Sequence, residues 1–296
     1  MTALELGRIG VWGHLDSLPI DAARSYAARA DELGYGTLWV PETVGREPFP
    51  LLGLLAGSTR RLMLGTSIVS IWGHDAQATR MAAMTLAEAT DGRFVLGLGV
   101  SHPHLAAKLR GHTFDRPLTR MREYLAAYRS AIYRGPRVAS ERAEPPVLIA
   151  ALRERMTDLA ATDADGAFPY LVTPPRVRWM RERLDAAAAD RALLAVTLPV
   201  ALGDPNDRAA ARSYLAPYLR TPAYRASWEL QGFAEPDWEA SGSNRLVDAM
   251  VAVGDVADVR VRIAALHEAG ADHVAIIPLA PDGTTEHLPT LEALAR

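Results

Sequence analysis

Glu32-Leu33-Gly34-Tyr35-Gly36-Thr37-Leu38-Trp39-Val40-Pro41-Glu42 carries one whole building unit of the chain. Upstream of it, Ile20, Ala23, Ala27, Ala30 and Leu33 recur at helical spacing and mark one apolar face. Gly34 and Gly36 supply the left-handed backbone that closes such a helix. Thr37 to Val40 is a short β-branched and aromatic run, the composition of a buried strand, and it ends on a polar residue, Glu42. The same helix-to-strand turn returns at Asp91-Gly92, Asp165-Gly166 and Gly270-Ala271-Asp272.

Outward from this unit, strand-like runs alternate with helical segments at 8–12, 37–40, 62–68, 94–99, 147–151, 166–170, 193–202 and 273–277. Eight strands joined through helices predict a parallel, closed (β/α)8 TIM barrel, an α/β fold. Its length of 296 residues suits a barrel forming one domain over 1–296. An open doubly wound sheet is the alternative. It lacks the dinucleotide fingerprint, since Gly97-Leu98-Gly99 runs on into Val100-Ser101-His102 with no third glycine in place. Leu118, Met121, Leu125, Tyr128 and Ile132 predict a later helix face, and Val256, Val259, Ile263 and Leu266 another, with Asp255 as its N-cap. The stretch 203–245 does not fit a bare barrel, because Pro205, Pro217, Pro222 and Pro236 interrupt it. It reads as an insertion after the seventh strand. Tyr214, Tyr218, Tyr224, Trp228, Phe233 and Trp238 give it an apolar cargo that must be covered, by the barrel mouth or by a second subunit. The mouth is the expected place.

Composition removes several classes of function. With 49% hydrophobic and 23% charged residues the chain has a globular composition. Its 35 acidic and 32 basic residues are interspersed, so no basic stripe offers itself to nucleic acid. The absence of Cys excludes thiolate nucleophiles, thiolate metal sites and disulfides, which suits a cytoplasmic protein. Lys108 is the sole Lys, a poor candidate for Schiff-base or P-loop chemistry. The first residues, Glu5 among them, lead straight into a strand, and no apolar run is long enough for a membrane span.

A barrel of this kind reacts at the C-terminal ends of its strands. The residues expected there are Trp12 and His14, Glu42 and Thr43, Ser67, Ser70, Trp72, His74 and Asp75, and Ser101, His102 and His104. Imidazoles and a carboxylate gathered at one mouth suggest proton handling. Taken alone, each reads equally well as a loop or capping residue. A zinc site from His102, His104, His14 and Glu42 is the weaker reading, since Pro103 separates the pair and the later strand ends add no His. Ala151, Leu152 and Arg153 end the fifth strand and open a helix, a place where amides can cradle a phosphate.

Taken together, Glu32 to Glu42, Leu64-Gly65-Thr66-Ser67-Ile68-Val69 and Asp91-Gly92-Arg93-Phe94-Val95-Leu96-Gly97-Leu98-Gly99 resemble the luciferase-like monooxygenase superfamily, most closely its actinobacterial branch that depends on the deazaflavin F420. The resemblance spans nearly the whole chain. It implies a barrel with an insertion, often a homodimer, that binds an isoalloxazine-like ring at the strand ends. It implies a cis peptide between Ser67 and Ile68, a loop alongside the ring at Gly99, Val100 and Ser101, and a phosphate-binding turn at Ala151, Leu152 and Arg153. Relatives commonly carry Gly where Arg153 stands, and often an acid and a His where Glu42 and Thr43 stand. The implied function is an F420-dependent oxidoreductase moving a hydride to or from a small organic substrate, with Glu42, His14 or His102 handling the proton and no metal. The alternatives are an FMN-dependent monooxygenase and a barrel that binds a flavin or deazaflavin without catalysis.

Overall fold

The computed structural model describes residues 6–138, 144–188 and 190–295, so Glu5 lies outside the described residues. The elements run β1 (Ile9–Trp12), α1 (Ile20–Glu32), β2 (Thr37–Val40), α2 (Pro48–Ala56), β3 (Met63–Thr66), β4 (Val69–Ser70), α3 (Ala76–Ala89) and β5 (Phe94–Gly99). A π-helical segment (His104–Leu109) precedes α4 (Pro117–Ser130), β6 (Val147–Ile149), α5 (Glu154–Asp163), β7 (Gly166–Ala167), α6 (Pro174–Ala187) and β8 (Leu193–Leu202). The insertion follows as α7 (Ala209–Leu215), a 3-10 turn (Tyr218–Arg220), α8 (Pro222–Glu229), α9 (Glu235–Trp238) and α10 (Asn244–Met250). Then come β9 (Ala252–Gly254), α11 (Val256–Glu268), β10 (His273–Pro278) and α12 (Leu288–Ala295).

All pairings are parallel, in the order β10-β1-β2-β3-β5-β6-β7-β8, and β10 pairs back onto β8, which closes the barrel. The eight expected strands are its staves. Three details differ from the sequence reading. The run 62–68 is not continuous: the Ser67–Ile68 peptide is cis, as the resemblance implied, and the chain resumes as β4 beside β5. β9 adds a short parallel partner for the far end of β8. The expected helix face through Ile132 is also shorter. Met121, Leu125 and Tyr128 are buried, but α4 stops at Ser130 and Ile132 is 65% exposed. Gln77 clasps the Ile132 main chain, accepting from its N–H at 3.0 Å and donating to its carbonyl at 2.7 Å. Those bonds replace another turn of helix.

The apolar staves set the core. Val11, Leu38, Leu64, Leu96, Ile149 and Val196 belong to the cluster beneath the helices, while Trp39, Met63, Val95, Leu148 and Ala275 fill the barrel interior. Gly65 is bare because an added Cβ would lie 2.5 Å from the Trp39 ring. Asp255 caps α11 as expected, accepting from the amides of Ala257 and Asp258. Asp31, at the end of α1, accepts from the amides of Arg60, Arg61 and Leu62 and so fixes where β3 begins. No helix among the described residues is long and apolar enough to cross a membrane.

The insertion lies on the C-terminal mouth. Tyr170, just past β7, packs against Tyr218 at 5.4 Å and Tyr224 at 5.9 Å between ring centres. Its hydroxyl bonds to those of Tyr214 and Tyr218. Trp228 is fully buried, and it shares one apolar cluster with the barrel interior.

Candidate active site

The mouth is assembled around an aromatic chain. Trp12, the last residue of β1, meets His14 edge-on at 4.9 Å and Tyr170 at 5.8 Å. Tyr170 passes the contact to Tyr224, and Tyr224 to His102 at 5.4 Å. The Trp12 Nε1–H donates to the Ser67 carbonyl at 3.1 Å, which ties the cis bond to the same wall. His14, Ser67 and His102, distant in sequence, are thus brought to one place.

Among the residues in the loops at this end, Leu15, Ser101 and Leu171 hold left-handed backbone without being glycine, each with φ 55°. An L side chain in that region costs about 1 kcal/mol or more, and such residues gather where surrounding structure imposes a shape. Ser101 turns the chain so that His102 faces Tyr224. Gly99 is required just before it, because the Ile68 side chain lies where a Cβ would stand, 2.4 Å away. Val100 is held by its carbonyl, which accepts from the Trp72 indole at 2.9 Å.

Glu42 sits at the end of β2 with its side chain 6% exposed. One oxygen accepts from the Ser70 amide at 2.6 Å, the other takes the Arg110 guanidinium, and His74 Nε2 stands 3.4 Å away as an ion-pair contact. Burial pushes this carboxyl up, but His74, the Ser70 amide and Arg110 outweigh it and hold the group below the ordinary carboxylate range. His74 is pushed up in return, first by its contact with Glu42, against the opposing pull of burial. Glu42 is therefore a carboxylate at neutral pH, locked between Arg110 and His74. Thr43 turns away to donate to Asp16 at 2.7 Å.

The two mouth imidazoles behave oppositely to His74. Burial pulls His14 down, partly offset by Glu286 and Asp16. Burial and then His104 pull His102 down, and the Nδ1 of His102 is buried with no hydrogen-bond partner among the described residues. His104 stacks on it with ring centres 5.9 Å apart. Both mouth imidazoles are neutral at neutral pH, able to donate at one nitrogen and accept at the other. The insertion tyrosines are raised by burial, Tyr218 to about 12, so they stay protonated donors.

At the expected phosphate turn, Ala151 is buried and Leu152 half-buried, whereas Arg153 is exposed and adds no charge to the interior. Arg153 stands at the start of α5 in extended backbone, and no side chain caps that helix end. The amides of Ala151, Leu152 and Arg153 have no protein acceptor among the described residues. Unsatisfied donors at a helix start suit an anionic group. The donors at this turn therefore fit an anionic group such as a phosphate. Among the described residues no group of three or more His, Asp or Glu side chains could hold a metal ion.

Sequence reasoning did not foresee Arg110 as the partner of Glu42, nor Tyr170 as the centre of the mouth. Arg110 follows an irregular π-helical segment that no periodicity marks, and Tyr170 was read only as the end of a strand.

A model of the luciferase-like monooxygenase family matches residues 3–273. A Mycobacterium tuberculosis protein named "Putative coenzyme F420-dependent oxidoreductase" is 26% identical, with 98% of this chain and 99% of that protein covered. Among solved structures, the F420-dependent tetrahydromethanopterin reductase of Methanopyrus kandleri superposes with a TM-score of 0.75 at 16% identity over 98% of both chains. The oxygenating constituent of 3,6-diketocamphane monooxygenase of Pseudomonas putida, in complex with FMN, superposes with a TM-score of 0.71 at 16% identity, over 97% of this chain and 95% of that one. A match running from residue 3 to residue 273, on a closed barrel with its polar groups at the C-terminal mouth, places the chain in the luciferase-like monooxygenase family of flavin- and deazaflavin-dependent oxidoreductases.

Proposed function

We propose that the chain is an F420-dependent oxidoreductase acting on a small organic substrate at the barrel mouth. The bound deazaflavin would supply hydride chemistry. Ser67, Ile68, Gly99, Val100 and Ser101 would form the wall against its ring, and the free amides of Ala151, Leu152 and Arg153 would take its phosphate. The observation that carries the reading is His102: a neutral imidazole, packed against Tyr224, whose buried Nδ1 has no partner among the described residues. A buried polar atom left unpaired is costly, so it serves a group the protein itself does not provide. In this reading His102 exchanges a proton with the substrate oxygen, His14 is the second candidate, and Glu42 acts as a fixed anion that holds Arg110 and His74. The insertion tyrosines exclude water above the reacting atoms. Full-length similarity to the mycobacterial F420 protein favours the deazaflavin over FMN.

The test is fluorescence titration of the protein with F420 and, separately, with FMN, followed by single-turnover hydride transfer in His102→Gln and His14→Asn. Tight F420 binding with slowed transfer in His102→Gln is expected. Binding of FMN alone would replace the reading by an FMN-dependent monooxygenase, and parent rates in both variants would remove the two histidines from the proton path. We also infer a homodimer from the family. Light scattering should then give twice 32.0 kDa.

A further inference from the structure

A second cavity, of about 850 Å³, opens on the flank of the barrel between the starts of α5 and α6, the end of α8, α10 and α11. Two guanidinium groups line it. Arg176 is 7% exposed, yet its only hydrogen bond goes to the Leu152 carbonyl at 2.7 Å, and its buried Nε has no partner among the described residues. Its guanidinium lies 3.7 Å above the Trp179 ring, which fixes its plane. Arg262 donates to the Asp248 carbonyl at 2.5 Å and the Ala249 carbonyl at 2.7 Å.

Among the described residues neither guanidinium is hydrogen-bonded to a carboxylate, and the one acid that lines the cavity, Glu154, faces another partner. The nearest acids are engaged elsewhere: Glu154 with Arg183 at 2.7 Å, and Asp248 with both arms of Arg208 at 2.6 and 2.9 Å. Burial pulls both Arg176 and Arg262 down from the ordinary arginine range. Guanidinium never gives up its proton in proteins, so the cavity keeps one buried positive charge, Arg176, and one half-buried one, Arg262, whose hydrogen bonds among the described residues go to carbonyl oxygens, with the charges of Glu154 and Asp248 acting only from a distance. Buried charges are ordinarily matched, and an arrangement left unmatched is a socket for an anion. The start of α6, at Pro174 and Pro175, faces the same space, but its two prolines bring no N–H, so the donors there are the guanidinium groups.

We propose that this cavity is an anion-binding site, in which Arg176 and Arg262 hold a phosphate or carboxylate group. Arg176 is bonded to Leu152, a residue of the turn assigned above to the cofactor phosphate, so the two sites are neighbours. The anion has two possible sources, the acidic tail of the deazaflavin, which rests on the proposed function, and a free small anion, which does not.

The experiment has two arms. In the first, thermal unfolding of the wild-type protein is followed in phosphate and in citrate against chloride at equal ionic strength, since a ligand that binds only the folded state raises Tm. In the second, F420 and the same deazaflavin without its acidic tail are titrated by fluorescence. Both arms are repeated with Arg176→Gln and with Arg262→Gln, so that one variant failing to fold leaves the other. If a free anion is the occupant, phosphate or citrate raises Tm in the wild type, the rise is lost in the variants, and the ratio of F420 to tail-less affinity is unchanged. If the tail is the occupant, the wild type prefers F420 over the tail-less compound by about tenfold or more, and the variants lose that preference while binding the tail-less compound as before. No Tm rise with either anion, together with an unchanged affinity ratio, overturns the proposal. If neither deazaflavin binds, the proposed function fails, and the first arm alone decides this site.

Discussion

Replacing Glu42 by Gln keeps the shape of the side chain and an acceptor for Ser70, and removes the negative charge between Arg110 and His74. The side chains of Arg110 and His74 are 29% and 18% exposed, so water recovers part of the loss. Stripping one partner from a fully buried pair costs about 3–5 kcal/mol, and an exposed pair is worth about 0–1 kcal/mol. The Glu42 cluster lies between these limits, at roughly 2–3 kcal/mol. With about 2–4 °C per kcal/mol for large single domains, Tm should fall by roughly 4–12 °C. The pH dependence is the sharper signature. His74 is pushed above its unfolded value near 6.5, so its share of the stability is complete below that pH and is lost as pH rises through the folded value. Glu42 is held below its ordinary value, so its share is present above about pH 4.5 and lost only in acid. Urea unfolding should therefore show a larger cost of Glu42→Gln near pH 6 than near pH 8.5, with the Arg110 share remaining at both. A cost below about 1 kcal/mol, or one that grows toward alkaline pH, would refute this account of the cluster.

Trp228→Ala empties a fully buried site and should cost about 3–5 kcal/mol, read by chemical denaturation, with hydrogen exchange rising first in α7 and α8. Asp255→Ala deletes the cap of α11 and should cost about 1 kcal/mol, whereas Asp255→Ser should recover most of it; equal losses in both would deny the capping role. Because burial keeps His102 neutral, single-turnover rates in the direction that takes a proton from substrate should fall as acid protonates it. His102→Gln should lose that acid limb, and an unchanged profile would assign the limb to another group.

The barrel was legible because its staves are buried on both faces and therefore read as short continuous apolar runs, as Phe94 to Gly99 does, set off by turn residues such as Gly34 and Gly270. Strand ends were then fixed by topology, which is why His14, Glu42 and His102 could be named in advance as mouth residues. Their states could not. Glu42 meets Arg110 across 68 residues, and a carboxylate in a loop looks the same in sequence whether it is free or clamped. The end of α4 was missed for a similar reason: Ile132 fits the helical period, but a long-range clasp from Gln77 overrides it. The cis bond at Ser67 came from family resemblance and not from any local pattern in the residues.

The apolar layer that joins Trp39, Phe168 and Ala275 to Trp228, Leu219 and Tyr214 has a consequence for how molecules get in and out. A flap on a hinge needs a dry seam along which it can part, and here the seam is occupied by shared side chains. Lifting α8 as a rigid body would drag Trp228 out of the barrel and expose its interior to water, at a cost comparable to the stability of a whole domain. The smaller motion left to this cover is rotation of the tyrosine rings that meet above the mouth, Tyr170, Tyr218 and Tyr224, one rotamer at a time. An opening made that way would be narrow, so the width of any guest would be limited by the side chains of the cover and not by the floor beneath it.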